Sequence, residues 1–122
     1  MNRDFQLNQN QLVDAWQSQL PKNLDPSDSA QVLADEANPN ALRIHIDTAG
    51  RQMYSFDFQC SYLDTREVKV DLVDVEREGQ TVDERTEVIQ DMTQGYARQI
   101  HECAQALHDL THHSYKGNEG RR

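Results

Sequence analysis

Between Leu42 and Leu72 apolar and polar residues alternate almost without a break. Leu42, Ile44 and Ile46 alternate with Arg43, His45 and Asp47. Tyr54, Phe56, Phe58, Cys60 and Tyr62 alternate with Met53, Ser55, Asp57, Gln59 and Ser61. Val68, Val70 and Leu72 alternate with Glu67, Lys69 and Asp71. A period of two is the signature of strands with one buried face. The pattern predicts a three-stranded antiparallel meander with its even-numbered residues facing a core.

The same pattern constrains the turns. If paired residues are both even, each connecting loop has an odd length. Thr48-Ala49-Gly50 fits a three-residue hairpin with Gly50 in the left-handed position and Asp47 facing Arg51. Leu63-Asp64-Thr65 fits the second. This register sets Cys60 against Val68, Phe58 against Val70 and Phe56 against Leu72, with Asp57 opposite Asp71 on the polar face.

Helices flank the meander. In LNQNQLVDAWQSQLP, Asn8 is placed to cap, Leu7 and Leu12 to form a hydrophobic staple, and Pro21 to end the helix. Leu12, Trp16 and Leu20 share one face. Residues 21–40 hold all three prolines. They read as an irregular acidic connection with room for one short helix capped by Asp25, with Pro26 in its first turn and Val32 and Leu33 as small apolar contacts. Thr81-Val82-Asp83-Glu84 has the spacing of a capping box. From there Ile89, Met92, Tyr96, Ile100, Cys103, Leu107 and Leu110 form one stripe, predicting a helix from about 82 to about 114, roughly 50 Å long. Gly95 is the candidate for a bend, and residues 116–122 read as a frayed tail.

The expected fold is therefore α+β: a three-stranded antiparallel meander packed on a long C-terminal helix, with a short N-terminal helix at one end or over the outer face. Residues 1–122 are expected to form a single domain. The order of elements is similar to that of double-stranded-RNA-binding domains. Those domains grip phosphates with lysines at the start of their second helix, where this chain has Asp83-Glu84, and no family is assigned.

Charge narrows the partners. The net charge is −9 and the pI about 4.8. No basic stripe exists to displace counterions from phosphates, so direct contact with nucleic acid or an anionic membrane is not expected. No apolar run approaches a membrane span. MNRDFQLNQNQL lacks the apolar segment of a secretory signal, and Cys60 and Cys103 are far apart in sequence. A cytoplasmic protein with reduced thiols is the expectation.

The stretch HECAQALHDLTHH looks at first like a cluster of soft metal ligands. At about 100° per residue the histidines His101, His108 and His112 point roughly 150° away from the apolar stripe, and Cys103 belongs to the stripe. His113 lies off both lines. His108 and His112 are spaced to chelate a metal from one helix, but two ligands make a weak site. No metal or other cofactor is expected.

On the polar sheet face, His45, Asp57 and Asp71 are the candidates for acid–base chemistry or ligand binding. Ser55 adds a hydroxyl, without a nucleophile-elbow sequence. Met53, Val73 and Val75 break the alternation and predict a small apolar patch on the outer face, covered by Trp16 and Leu20 of the first helix or by a second subunit. The edge formed by REVKVDLVDVERE is long enough to pair with another copy, although its charges oppose uncontrolled association.

The leading expectation is a small acidic interaction or regulatory module without catalytic activity, with a protein partner that includes a second copy as in a homodimer. One alternative is an enzyme or ligand-binding protein using His45, Asp57 and Asp71. Another is an acidic inhibitor of a basic or nucleic-acid-handling protein. If residues 21–40 fold over Asp57 and Asp71, the enzyme gains; if the sheet face stays wet, the module does.

Overall fold

The computed structural model describes residues 8–48 and 53–108. The elements run α1 (Gln9–Asn23), β1 (Ser29–Ala34), β2 (Ala41–Asp47), β3 (Tyr54–Tyr62), β4 (Val68–Arg77), β5 (Gln80–Thr81) and α2 (Glu87–Ala106). The strands make one antiparallel sheet in sequence order. The fold is α+β, with five strands where alternation predicted three.

Even-numbered residues of β1, β2 and β3 face a single core. Val32, Leu42, Ile44, Ile46, Phe56, Phe58, Cys60 and Tyr62 are buried there with Leu12, Trp16 and Leu20 of α1 and Ile89, Tyr96, Ile100 and Cys103 of α2. Both helices thus cover the inner face. Trp16, fully buried, donates from Nε1 to the Tyr62 hydroxyl at 3.2 Å, which satisfies a donor that water cannot reach. The first helix therefore does not lie over the outer face. The Asn8 cap forms as expected, accepting the Gln11 N–H at 3.0 Å. Pro21 does not end α1: the Leu24 N–H reaches the Leu20 carbonyl, and buried Leu24 pins a last turn beyond the proline.

The segment 21–40 is not an irregular connection. Asp25 accepts the N–H and hydroxyl of Ser27 in a tight turn rather than capping a helix, and β1 follows, pairing Val32 with Ile44 and Ala30 with Ile46. The edge of β1 is closed by one side chain. Gln17 accepts the Val32 N–H (2.8 Å) and donates to the Ala30 carbonyl (3.0 Å), the two bonds a neighbouring strand would supply.

The expected registers are also corrected. Asp47 pairs with Ser55, not Arg51. Thr48 sets this by bonding the backbone of Tyr54 from its own N–H and hydroxyl, and Met53 takes a left-handed conformation; Gly50 lies outside the described residues. At the next turn Asp64 accepts the N–H groups of Arg66 and Glu67, and the Leu63 N–H bonds the Glu67 carbonyl. The three-residue loop is therefore Asp64-Thr65-Arg66, one residue later than expected. Cys60 consequently faces Val70 and Phe58 faces Leu72.

A bulge then adds a second shift. Phe58 pairs with Leu72 but Asp57 with Asp74, so Val73 is the extra residue. It turns Val75 inward against Phe56, where it is fully buried. Beyond it Glu78 (φ 53°) and Gly79 (φ 85°) form a two-residue hairpin with both residues left-handed, the geometry that matches strand twist. Thr81 pairs with Glu76 in β5 instead of capping a helix. Thr86 caps α2, which runs unbroken through Gly95 to Ala106, about 30 Å at 1.5 Å per residue. Leu7, Leu110, His112, His113 and residues 116–122 lie outside the described residues.

Candidate functional site

Among the described residues no helix lies over the outer face of the sheet. Alternation puts Leu33, Arg43, His45, Asp47, Ser55, Asp57, Gln59, Lys69 and Asp71 there. The bulge at Val73 then adds Asp74 beside Asp57 and Glu76 beside Ser55. Strict alternation through Val73, with no bulge, would have put these two carboxylates on the inner face. One end of the outer face therefore gathers Asp47, Asp57, Asp74 and Glu76 around His45. The other end carries Arg43 and Lys69.

His45 is held between two carboxylates. Its Nδ1 lies 2.7 Å from Asp57 and its Nε2 3.0 Å from Asp47. Partial burial works against a charge on the ring. The hydrogen bond and charge of Asp57, followed by those of Asp47, outweigh it, and the imidazole pKa rises above its ordinary value. With an acceptor at each nitrogen, the ring is matched to the doubly protonated form. Ser55 donates to Asp47 at 2.7 Å, not to the imidazole. A serine nucleophile requires a free imidazole nitrogen to accept its proton. Here both nitrogens face carboxylates, and the histidine is held in a clamp with neither nitrogen turned to the serine.

Asp71 is not part of this group. It stands opposite Gln59, with Lys69 3.7 Å away. The sequence brought His45 and Asp57 together correctly as residues of one face, whereas Asp57 meets Asp74 rather than Asp71. Among the described residues neither the 21–40 segment nor a helix covers them: the side chains of Asp57 and Asp71 retain 32% and 47% exposure.

A second polar group went unnoticed in the sequence. Asp35, only 5% exposed, follows β1 and folds back over the outer face. One carboxylate oxygen accepts the N–H groups of Ala37 and Asn38 (2.8 and 3.1 Å), and the other accepts from Gln59 (2.7 Å) and Arg43 (3.1 Å). Burial would raise its pKa, but these bonds, led by that of Gln59, hold it below the usual carboxylate range. From the helix side Gln9 donates to the carbonyls of Asp35, Asn38 and Ala41 at 2.8–3.1 Å. The signal was the Asp-x-x-Asn-Pro spacing of a side-chain-bonded turn. Asp35 is a brace, consumed by structural bonds.

The remaining candidates are dispersed. Met53 and Val73 are exposed, but Val75 and Trp16 are core residues, so the expected apolar patch does not assemble. Cys60 and Cys103 are buried free thiols. Burial pushes both pKa values up, Cys103 to about 12, which keeps them protonated and unreactive near neutral pH. His101 is exposed on α2, and His108 lines a shallow cleft with Arg66 and Gln105. Among the described residues no group of His, Cys, Asp and Glu could hold a metal ion, and no helix is long and apolar enough to cross a membrane.

Comparison with family models, with curated proteins and with solved structures finds no match.

Proposed function

We propose that this chain is a non-catalytic interaction module that receives a protein partner on the outer face of its sheet, with a basic segment of the partner lying over Asp47, Asp57, Asp74 and Glu76. The observation that carries this reading is the bulge at Val73, which turns Asp74 and Glu76 out beside Asp57 and Ser55. Bulges commonly re-aim side chains at sites of use. The face is supported on its other side by both helices, so it is a rigid platform. Its acidic end complements a basic partner and steers its approach. The clamped His45 supports a binding role over acid–base chemistry.

Asp74 and Glu76 lie on the outer face and Val75, between them, fills the core, so the test replaces only the two carboxylates. The native chain and an Asp74→Lys, Glu76→Lys variant of equal thermal stability are immobilised and exposed to extract of the source cell. The reading expects a protein retained by the native chain and lost by the variant. Identical retention by both chains overturns the outer-face assignment. A small-molecule turnover that disappears in His45→Ala overturns the non-catalytic one.

A further inference from the structure

The two edges of the sheet are treated differently. The edge of β1 is closed by Gln17. The edge of β4 is closed by β5 only from Val75 to Arg77, where the Val82 N–H also bonds the Val75 carbonyl. On the side away from β3, residues 68–74 have no strand beside them among the described residues. On the inner side Leu72 opens into a shallow cleft lined with Glu84, Arg85, Gln90 and Thr93.

The register shows which backbone groups this open edge presents. Glu67 bonds Leu63 of the preceding strand side, so Glu67, Lys69 and Asp71 turn their N–H and C=O groups toward β3. Val68, Val70 and Leu72 turn theirs to the free side. The bonding of Val75 toward β5 agrees once the extra residue Val73 is counted.

We infer that this edge pairs with the same edge of a second copy, antiparallel, with Val70 opposite Val70 on a two-fold axis. The inference rests on the interaction-module reading for its class and names one partner and one surface for it. Three registers bring at least two of the edge-facing residues together. Val68 against Val70 of the second copy sets Lys69 against Lys69. Val70 against Leu72 sets Asp71 against Asp71. Only Val70 against Val70 sets Lys69 against Asp71, twice, with Val68 against Leu72.

At Lys69 and Asp71 the edge is thus self-complementary in one register, whereas each neighbouring register sets one of these residues against itself. Lys69 and Asp71 form non-hydrogen-bonded pairs across the join, the closer kind, with Cα atoms about 4.5 Å apart. Each lysine then sits between its own Asp71, already 3.7 Å away, and that of the second copy. Pairing of Val68–Leu72 stops short of the cover that β5 and Val82 give from Val75 onward, and the product is a continuous sheet through both copies. The outer face stays open on each.

The test is the mass of the full chain by sedimentation equilibrium over a concentration series. The native chain is expected to show a reversible dimer. Lys69→Asp and Asp71→Lys each set like charges together twice and are expected to raise the dissociation constant about tenfold or more. Lys69→Asp combined with Asp71→Lys restores opposite charges and is expected to recover the native value. Val70→Pro removes an N–H on the free side only, so it should abolish the dimer and leave the circular dichroism unchanged. A monomer at all concentrations overturns the inference, as does a dimer indifferent to the single reversals or not recovered by the double swap. The charge variants keep the test valid if the proline variant fails to fold. A monomer that still retains the partner lost by Asp74→Lys, Glu76→Lys removes the dimer and leaves the interaction-module reading standing.

Discussion

Deleting Val73 should leave the protein folded, an unusual expectation for a residue inside a ten-residue strand. Val73 is the extra residue of the bulge and is 43% exposed. With it gone, Leu72 still points inward, Asp74 outward and Val75 inward, and the backbone groups of each still face the same neighbour. Only an exposed side chain is lost, worth about 1 kcal/mol or less. Deleting Gln59 from β3 is the contrast, because β3 pairs without irregularity with β2. That deletion sends either Phe56 and Phe58 or Cys60 and Tyr62 to the outer face. All four are at most 5% exposed. Exposing two large side chains costs about 3–6 kcal/mol, comparable to the whole stability of a small domain at about 5–15 kcal/mol. The loss of the Gln59 bond to Asp35 is measured separately with Gln59→Ala. Urea denaturation followed by the fluorescence of Trp16, the one tryptophan, reads all three. If the Val73 deletion is as destabilising as the Gln59 deletion, the bulge is not where the register places it.

Further expectations concern single side chains. Tyr62→Phe leaves the buried Trp16 N–H without an acceptor and should cost about 1–3 kcal/mol in the same urea assay; a change below about 0.5 kcal/mol would contradict the bond. Asp35→Ala removes the acceptor for four donors at a nearly closed site and should cost about 2–4 kcal/mol. His45 has a folded pKa above the ordinary 6.5, so its contribution to stability is complete below that value and fades as pH rises through the folded pKa. The thermal-stability difference between the native chain and His45→Gln should therefore shrink from pH 6 to pH 8, and growth of that difference would refute the clamp.

Much of the sheet was legible because alternation needs only one buried face. The inward set Leu42, Ile44, Ile46, Phe56, Phe58, Cys60 and Tyr62 and the stripe from Ile89 to Cys103 follow from periodicity alone. Register did not. Moving a three-residue loop by one position preserves parity, so the pattern cannot distinguish the Asp64 turn from its neighbour. The bulge hides for a related reason: Val73 and Val75 look like a lapse in alternation until an extra residue restores it. β1 offers Ala30, Val32 and Ala34 on its inner side, too little apolar surface to register as a strand, and Leu33 outside blurs the contrast. The two residues of β5 are too few to leave any period, and Thr81 resembled a helix cap equally well.

The site divides along the same line. His45 and Asp57 were predictable neighbours because both are odd-numbered residues on adjacent strands, two positions that any even-summed register keeps on one face. The company of Asp74 and Glu76 depends on the bulge, and the brace at Asp35 depends on the register that brings Arg43 and Gln59 beneath it. These are tertiary facts set by one extra residue and two turns.

The central claim is that a partner lies on the outer sheet face, and amide chemical-shift mapping of the isotope-labelled chain with the retained protein tests it most directly. The account predicts shifts at Asp47, Asp57, Asp74 and Glu76 that end at the strands and leave the exposed side of α2, with Val88 and His101, unmoved. Shifts concentrated on that helix surface, with the outer face silent, would contradict it.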